Sequence, residues 1–278
     1  MDAFWIILSG SLVALSCGLL GVYLVLRKMA MVGDAISHAV LPGIIIAFLV
    51  TGTVAKIPLV IGAGVFGMIC TLMIELLVKK GKLQNDAAIG ISFTFLFALG
   101  VILVNLFAGN IHLDEDVILK GEIAFIPLDT IMIGALEIPR NVLVLSISFI
   151  AVLLFIAVGY KGLKITSFDV AYASGIGLGV SLWHYALMAM VSFTTVAAFE
   201  SVGAILVVGF LVGPPATAYL LTKKMKIMFL LTVLFGISSS IMGYYLAVWV
   251  DASIAGAIAV VIGIQFLLAF VLGRVLKL

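Results

Sequence analysis

Residues 3–26 read AFWIILSGSLVALSCGLLGVYLVL, from Ala3 to Leu26, without one Asp, Glu, Lys or Arg. A helix of about 20 apolar residues crosses the hydrocarbon core of a bilayer, so this stretch is long enough to span it. It is too long for the apolar core of a signal peptide, and no basic residue precedes it, so it reads as a retained membrane helix. Further charge-free stretches follow at Ala35–Ala55, Ile57–Ile74, Ala87–Ile111, Asn141–Tyr160, Val170–Phe199, Ser201–Thr222, Ile227–Val250 and Ala252–Gly273. Strand-like alternation is absent from them, which argues against a β-barrel. The expectation is an all-α integral membrane protein with about eight or nine transmembrane helices. The count turns on Val170–Thr222, where one piece is short for a full crossing.

Composition agrees. Of 278 residues, 65% are hydrophobic and 10% charged, against roughly a quarter charged in a soluble domain. Mean hydropathy is +1.40. Such a chain cannot build the charged shell of a soluble enzyme, and a net charge of +2 is too small for a nucleic-acid binder. Cys17 and Cys70 lie in apolar runs and read as small core residues. No GxxxxGK[ST] loop is present, so the chain does not bind ATP by that route.

The basic residues sort the stretches into a topology. Apart from Lys56, Lys120 and Arg140, every Lys and Arg falls after the first, third or fifth stretch, before the penultimate one, or at the C-terminal end. The positive-inside rule then places the N-terminus outside and the C-terminus in the cytoplasm. The polar segment of about residues 110–140, with Asp114, Glu115, Asp116, Glu122, Asp129 and Glu137, becomes an external loop.

Ionisable groups inside such stretches cost roughly 2.5–3.5 kcal/mol each on insertion scales and are functional candidates by default. Asp34 and His38 are four apart, so on a helix they share a face. A carboxylate and an imidazole one turn apart suit a divalent transition metal. Pro42 and Gly43 follow at once and should kink or loosen the helix, as membrane proteins do where they expose a site. The alternative is a buried pair that braces two helices. Glu200, the sole acid between Asp169 and Asp251, reads either as a third ligand on the pathway or as a headgroup-level acid at a helix end. Glu75 lies one turn before Lys79 and reads as an interfacial ion pair. His184 follows Trp183, a pair that an interfacial aromatic belt explains. His112 belongs to an acidic external segment that reads first as a solvated loop.

Two segments on the basic side look like docking surfaces. Gly213-Pro214-Pro215-Ala216-Thr217 leads towards Lys223 and Lys224, and proline favours a first helical turn, so a short helix over about 213–225 is expected there. Ile165–Tyr172 is the other, with Thr166 or Ser167 as a helix cap. Each is equally readable as a simple loop.

Taken in order along the chain, these blocks resemble a known family. Asp34–Gly43, Lys82–Ile91 continuing through Phe97–Val101, Ser167-Phe168-Asp169 with Ala173 and Gly175, and Glu200–Val208 leading to Pro214–Ala218 are similar to the permease subunit of bacterial ABC importers for zinc, manganese and iron(II). The resemblance implies one permease domain over residues 1–278, multi-pass in the bacterial cytoplasmic membrane, with a fold like the vitamin B12 importer permease (type II) but with fewer helices. It implies Asp34 and His38, with Glu200 a weaker candidate, as ligands of a transported manganese or zinc ion, and no permanently bound cofactor. The segment from Pro214 onward, with Gly213, becomes a coupling helix. Implied partners are two cytoplasmic ABC ATPase subunits, a second permease copy or related permease, an extracellular or periplasmic metal-binding protein, and membrane lipid, with no nucleic acid. ATP hydrolysis would belong to the partner ATPase. The external block His112–Glu122 resembles the manganese branch more than the zinc branch. Alternatives are a proton-coupled secondary metal transporter and a permease for a siderophore or cobalamin. An intramembrane metalloprotease would need a HExxH-type pair or an Asp dyad, and neither is found.

Overall fold

The computed structural model describes residues 2–52, 56–107, 123–133 and 136–275. Their long apolar runs form helices because a bilayer leaves no water to satisfy backbone polar groups. The helices are α1 (Asp2–Leu26), α2 (Val32–Ala39), α3 (Leu41–Thr51), α4 (Lys56–Lys79), α5 (Asn85–Phe107), α6 (Arg140–Phe168), α7 (Val170–Gly175), α8 (Val180–Val202), α9 (Ala204–Leu221), α10 (Met225–Val250) and α11 (Ile254–Val275). With α2 and α3 taken as one broken crossing, the described residues contain 9 helices long and apolar enough to span a membrane. The short piece in the Val170–Thr222 region is α7, and α9, at 18 residues, still reaches spanning length.

At the centre lies α1, against α6, α8, α9 and α10. Its Val13, Cys17, Leu20, Tyr23 and Leu24 are fully buried. Lipid gives helices no hydrophobic reason to associate, so close backbone approach at small residues carries the packing. At Gly21, α1 presses on the Leu211 carbonyl and Pro215 of α9, and any Cβ there would overlap that carbonyl. Gly43 of α3 and Gly62 of α4 form a second such contact, each lying on the other's carbonyl oxygen.

Between α5 and α6, Ile123–Leu128 forms a short 3-10 helix whose Ile123 and Ile126 are buried against the bundle. Strands β1 (Thr130–Ile133) and β2 (Leu136–Pro139) then pair antiparallel, Thr130 opposite Pro139 and Met132 opposite Glu137. This hairpin lies in the segment read from sequence only as a polar loop. The block His112–Glu122, including the manganese-branch cue, lies outside the described residues.

Two sequence expectations are corrected here. No separate helix starts at Pro214. Instead α9 runs through Gly213, Pro214, Pro215, Ala216 and Thr217 to Leu221, with Pro214, Pro215 and Thr217 buried. Proline inside a helix removes an N–H, here those that would bond the Phe210 and Leu211 carbonyls. Glycine at position 21 brings α1 onto that stretch, and neighbouring helices are what make interior proline tolerable in a membrane. Likewise Thr166 and Ser167 do not cap a helix. They sit in the last turn of α6, and Asp169 caps α7, its Oδ1 accepting from Tyr172 N at 2.8 Å.

Candidate metal site and inner docking face

Asp34 and His38 both lie on α2, and they do share a face. His38 Nε2 is 3.7 Å from Asp34 Oδ1, with the side chains 45% and 35% exposed respectively. At that distance they are not hydrogen-bonded, so neither is committed to the other. Both atoms can stand about 2.1 Å from a single ion, the usual metal–ligand distance for these groups, at an open angle. The helix breaks directly after the pair. Val40 is at once the end of α2 and the cap of α3, and Pro42 sits in the first turn of α3. Pro42 has no N–H to give the His38 carbonyl, which is why the chain restarts rather than continues. The expected loosening at Pro42 is therefore present.

The rest of α2 is held firmly. Ala35, Ile36, Ser37 and Ala39 are buried, Ile36 lies near Gly67 of α4, and Cys70 Sγ of α4 approaches the Ala35 carbonyl at 3.9 Å. On the open side, the His38 ring stands 5.8 Å from Phe93 and 6.0 Å from Phe97, both on α5. Gly100 of α5 lets that helix close onto Leu41 and Pro42 at the break. The pair is thus presented to the surface of the chain by a rigid backing and an aromatic flank. No group of three or more His, Cys, Asp or Glu gathers among the described residues, and of those residues Asp34 and His38 are the candidate ligands on this face. Glu200 has its backbone in the last turn of α8, before Gly203, which turns the chain into α9 at φ 79; its side chain lies outside the described residues.

Other singled-out residues fall elsewhere. Glu75 and Lys79 form the expected ion pair, Glu75 mostly buried and Lys79 exposed. Trp183 packs against the bundle. Its ring lies on α6 where Gly159 and Gly162 leave room for it, a contact that an interfacial position allows equally. His184 lines a cavity of about 470 Å³ with Arg27, Lys28, Thr71, Glu75, Lys79, Asn85, Thr166, Ser167 and Val170.

The two docking segments meet. A groove of about 950 Å³ is lined by Ser167 and Phe168 on one side and by Tyr219 through Met225 on the other, including Lys223 and Lys224. Phe168, Val170, Tyr172 and Tyr219 are exposed at or beside it, as are both lysines. From the 213–225 segment, then, Tyr219, Lys223 and Lys224 reach the surface, while Pro214, Pro215 and Thr217 do not. Arg27, which the sequence did not mark, also belongs to this end. Its Nε donates to Ser167 Oγ and its Nη2 to Thr166 Oγ1, each at 2.9 Å.

Residues 3–273 match the ABC 3 transport family. The chain is 48% identical to the manganese transport system membrane protein MntD of Bacillus subtilis (strain 168), over 96% of this chain and 90% of the relative. It is 41% identical to the zinc transport system membrane protein TroD of Treponema pallidum (strain Nichols), over 95% and 72%. Its structure is similar to PsaBC from Streptococcus pneumoniae solved in complex with Fab, at TM-score 0.78 and 32% identity, covering 96% of this chain and 90% of that one. A family match over nearly the whole length, on a bundle of membrane-spanning helices, settles the class: the chain belongs to the ABC 3 transport family and is a multi-pass ABC transporter permease, a transport subunit rather than an enzyme.

Proposed function

We propose that this chain is the membrane path of an ABC importer for a divalent transition metal, manganese ahead of zinc, with Asp34 and His38 as its transient ligands. The observation that carries the reading is the geometry of that pair: two unlike donors 3.7 Å apart, within ion-pair reach but not hydrogen-bonded to each other, and open on one face of a broken helix. Manganese is favoured because MntD, a manganese transport protein, is 48% identical and TroD, a zinc transport protein, 41%. A second permease chain would bring its own pair against the first, and four donors held loosely by two chains suit capture followed by release. Glu200 is the reserve ligand.

The groove at the Lys223–Lys224 end, together with α7, is the surface for the ATPase. Helix α7 is short, capped and exposed, and Gly213–Thr217 forms the stem that leads to the lysines. The concentration of basic residues at that end supports placing it in the cytoplasm, with the N-terminus and the Thr130–Pro139 hairpin outside. A metal-binding protein outside would deliver the ion. ATP hydrolysis in two partner subunits would then switch access from the outer to the inner face.

The test is uptake of radioactive manganese and zinc by cells expressing the assembled transporter. Asp34→Ala and His38→Ala should each co-purify with the ATPase and lose at least tenfold of uptake, the scale on which supporting residues of metal sites already act. Full uptake by both assembled variants would remove the pair from the pathway. Uptake that persists without the ATPase would point instead to a proton-coupled secondary transporter.

A further inference from the structure

The family and the metal pair leave one half-buried cation without a role. Arg27 closes α1, and its half-buried guanidinium has no carboxylate partner among the described residues. Burial pulls it below its ordinary pKa, with Tyr23 acting in the opposite sense. A buried cation is expensive unless something specific holds it. What holds it is a pair of hydroxyls 139 and 140 residues away.

The donor and acceptor count at those hydroxyls is complete. Thr166 Oγ1 donates to the Gly162 carbonyl at 2.8 Å, and Ser167 Oγ donates to the Leu163 carbonyl at 2.6 Å. Each hydroxyl has one hydrogen, now committed, so its lone pairs face Arg27 and can only accept. The fork of the guanidinium matches two acceptors fixed side by side on one helical turn.

Each end of this contact is stiffly tied to something that matters. On the Arg27 side, α1 ends in a Schellman turn, with Lys28 N bonded to Val25 O, Met29 N to Leu24 O and Lys28 at φ 57. Val32 N then bonds Met29 O, so four residues, Lys28 to Met31, carry the chain from Arg27 into α2, which bears Asp34. On the other side, Asp169 N bonds Ile165 O, and Asp169 caps α7 through Tyr172 N. The guanidinium therefore bridges the helix that presents Asp34 and His38 and the segment that presents the docking surface. The cavity of about 470 Å³ beside it gives the joint room to shift.

We infer that Arg27 is a positioning residue that transmits movement of the α7 docking segment to the metal-bearing helix α2, through Thr166 and Ser167. The inference rests on the proposed docking of an ATPase at α7. Arg27 touches no transported ion and acts only on when α2 moves. Its signature is accordingly a loss of coupling, not of metal affinity or of hydrolysis.

The experiment uses the permease with its ATPase in proteoliposomes, reading manganese uptake and ATP hydrolysis on the same sample. Arg27→Gln should leave hydrolysis within about twofold and lower uptake about tenfold, a typical coupling factor between distant sites. Binding of manganese(II) to the purified complex should stay within about twofold. Arg27→Lys, which keeps the charge and one donor direction, should recover part of the lost uptake per ATP. The pair Thr166→Val with Ser167→Ala should reproduce the defect, and adding Arg27→Gln to it should cost nothing more, as expected of residues in one contact. Unchanged uptake per ATP in Arg27→Gln overturns the inference. So does a parallel fall of uptake and hydrolysis, or defects that multiply when the variants are combined. If Arg27→Gln fails to assemble, the hydroxyl variant decides by the same ratio. Asp34→Ala with full uptake would sink the metal-pair reading while leaving the ratio at Arg27 intact, so the two failures are distinguishable.

Discussion

Asp34 and His38 illustrate what spacing on a helix can and cannot convey. Their separation of four residues puts them on one face by geometry alone, and the structure brings Oδ1 and Nε2 to 3.7 Å. Size and charge can be separated at this site. Asp34→Asn keeps the shape and one oxygen donor but removes the charge, so uptake should fall about tenfold or more with assembly intact, measured as isotope accumulation at matched protein level. Packing residues answer differently. A Cβ at Gly43 would enter the carbonyl of Gly62, so Gly43→Val should cost about 1–3 kcal/mol through overpacking, seen as a lowered Tm of the detergent-solubilised protein. The sequence showed the pair because both members lie within one turn. It did not show Arg27, whose partners Thr166 and Ser167 are brought to it only by the packing of α1 on α6. Nor did it choose Asp169 over its two hydroxyl neighbours as the cap of α7, since all three are good capping residues and the choice depends on where α6 ends.

At the scale of elements, prolines were read correctly once and incorrectly once. Pro42 follows a short helix, and the crossing divides at Val40 although α5 closes on it at Gly100. Pro214 and Pro215 sit where Gly21 lets α1 press on the helix, and α9 continues through them. Local sequence does not separate the cases, since each proline follows apolar helical residues and meets a neighbouring helix. Pro42→Ala supplies the missing N–H and should join α2 to α3, lowering uptake while leaving ATPase assembly unchanged; unchanged transport would show that the break is not needed. Asp169→Ala removes the cap of α7, a loss of about 1 kcal/mol of local helix stability. It should weaken co-purification of the ATPase about fivefold on that energy scale, with Asp169→Asn, which can still cap, close to normal. The Thr130–Pro139 hairpin escaped the sequence reading because its strands have 4 residues each and carry Glu137 and Pro139 amid apolar neighbours.

For the whole molecule, the all-α membrane class was legible from charge-free length, the permease fold only from the resemblance of the ordered blocks, and the described residues hold 9 candidate spans, the upper of the two values expected. What length could not convey is that the segments at 165–172 and 213–225, far apart in the chain and proposed as docking surfaces, contribute to one groove. The proposed orientation has a direct check. In intact cells an impermeant thiol reagent should label a cysteine placed at Met132 in the hairpin and spare one placed at Lys224, and the reverse pattern would invert the topology. The central claim is that two permease chains together hold one ion between their Asp34–His38 pairs. Manganese(II) binding to the purified ATP-free complex, read by electron paramagnetic resonance, measures it. One ion per two permease chains, lost in both Asp34→Ala and His38→Ala, is the expected result; undiminished binding in the two variants would contradict it.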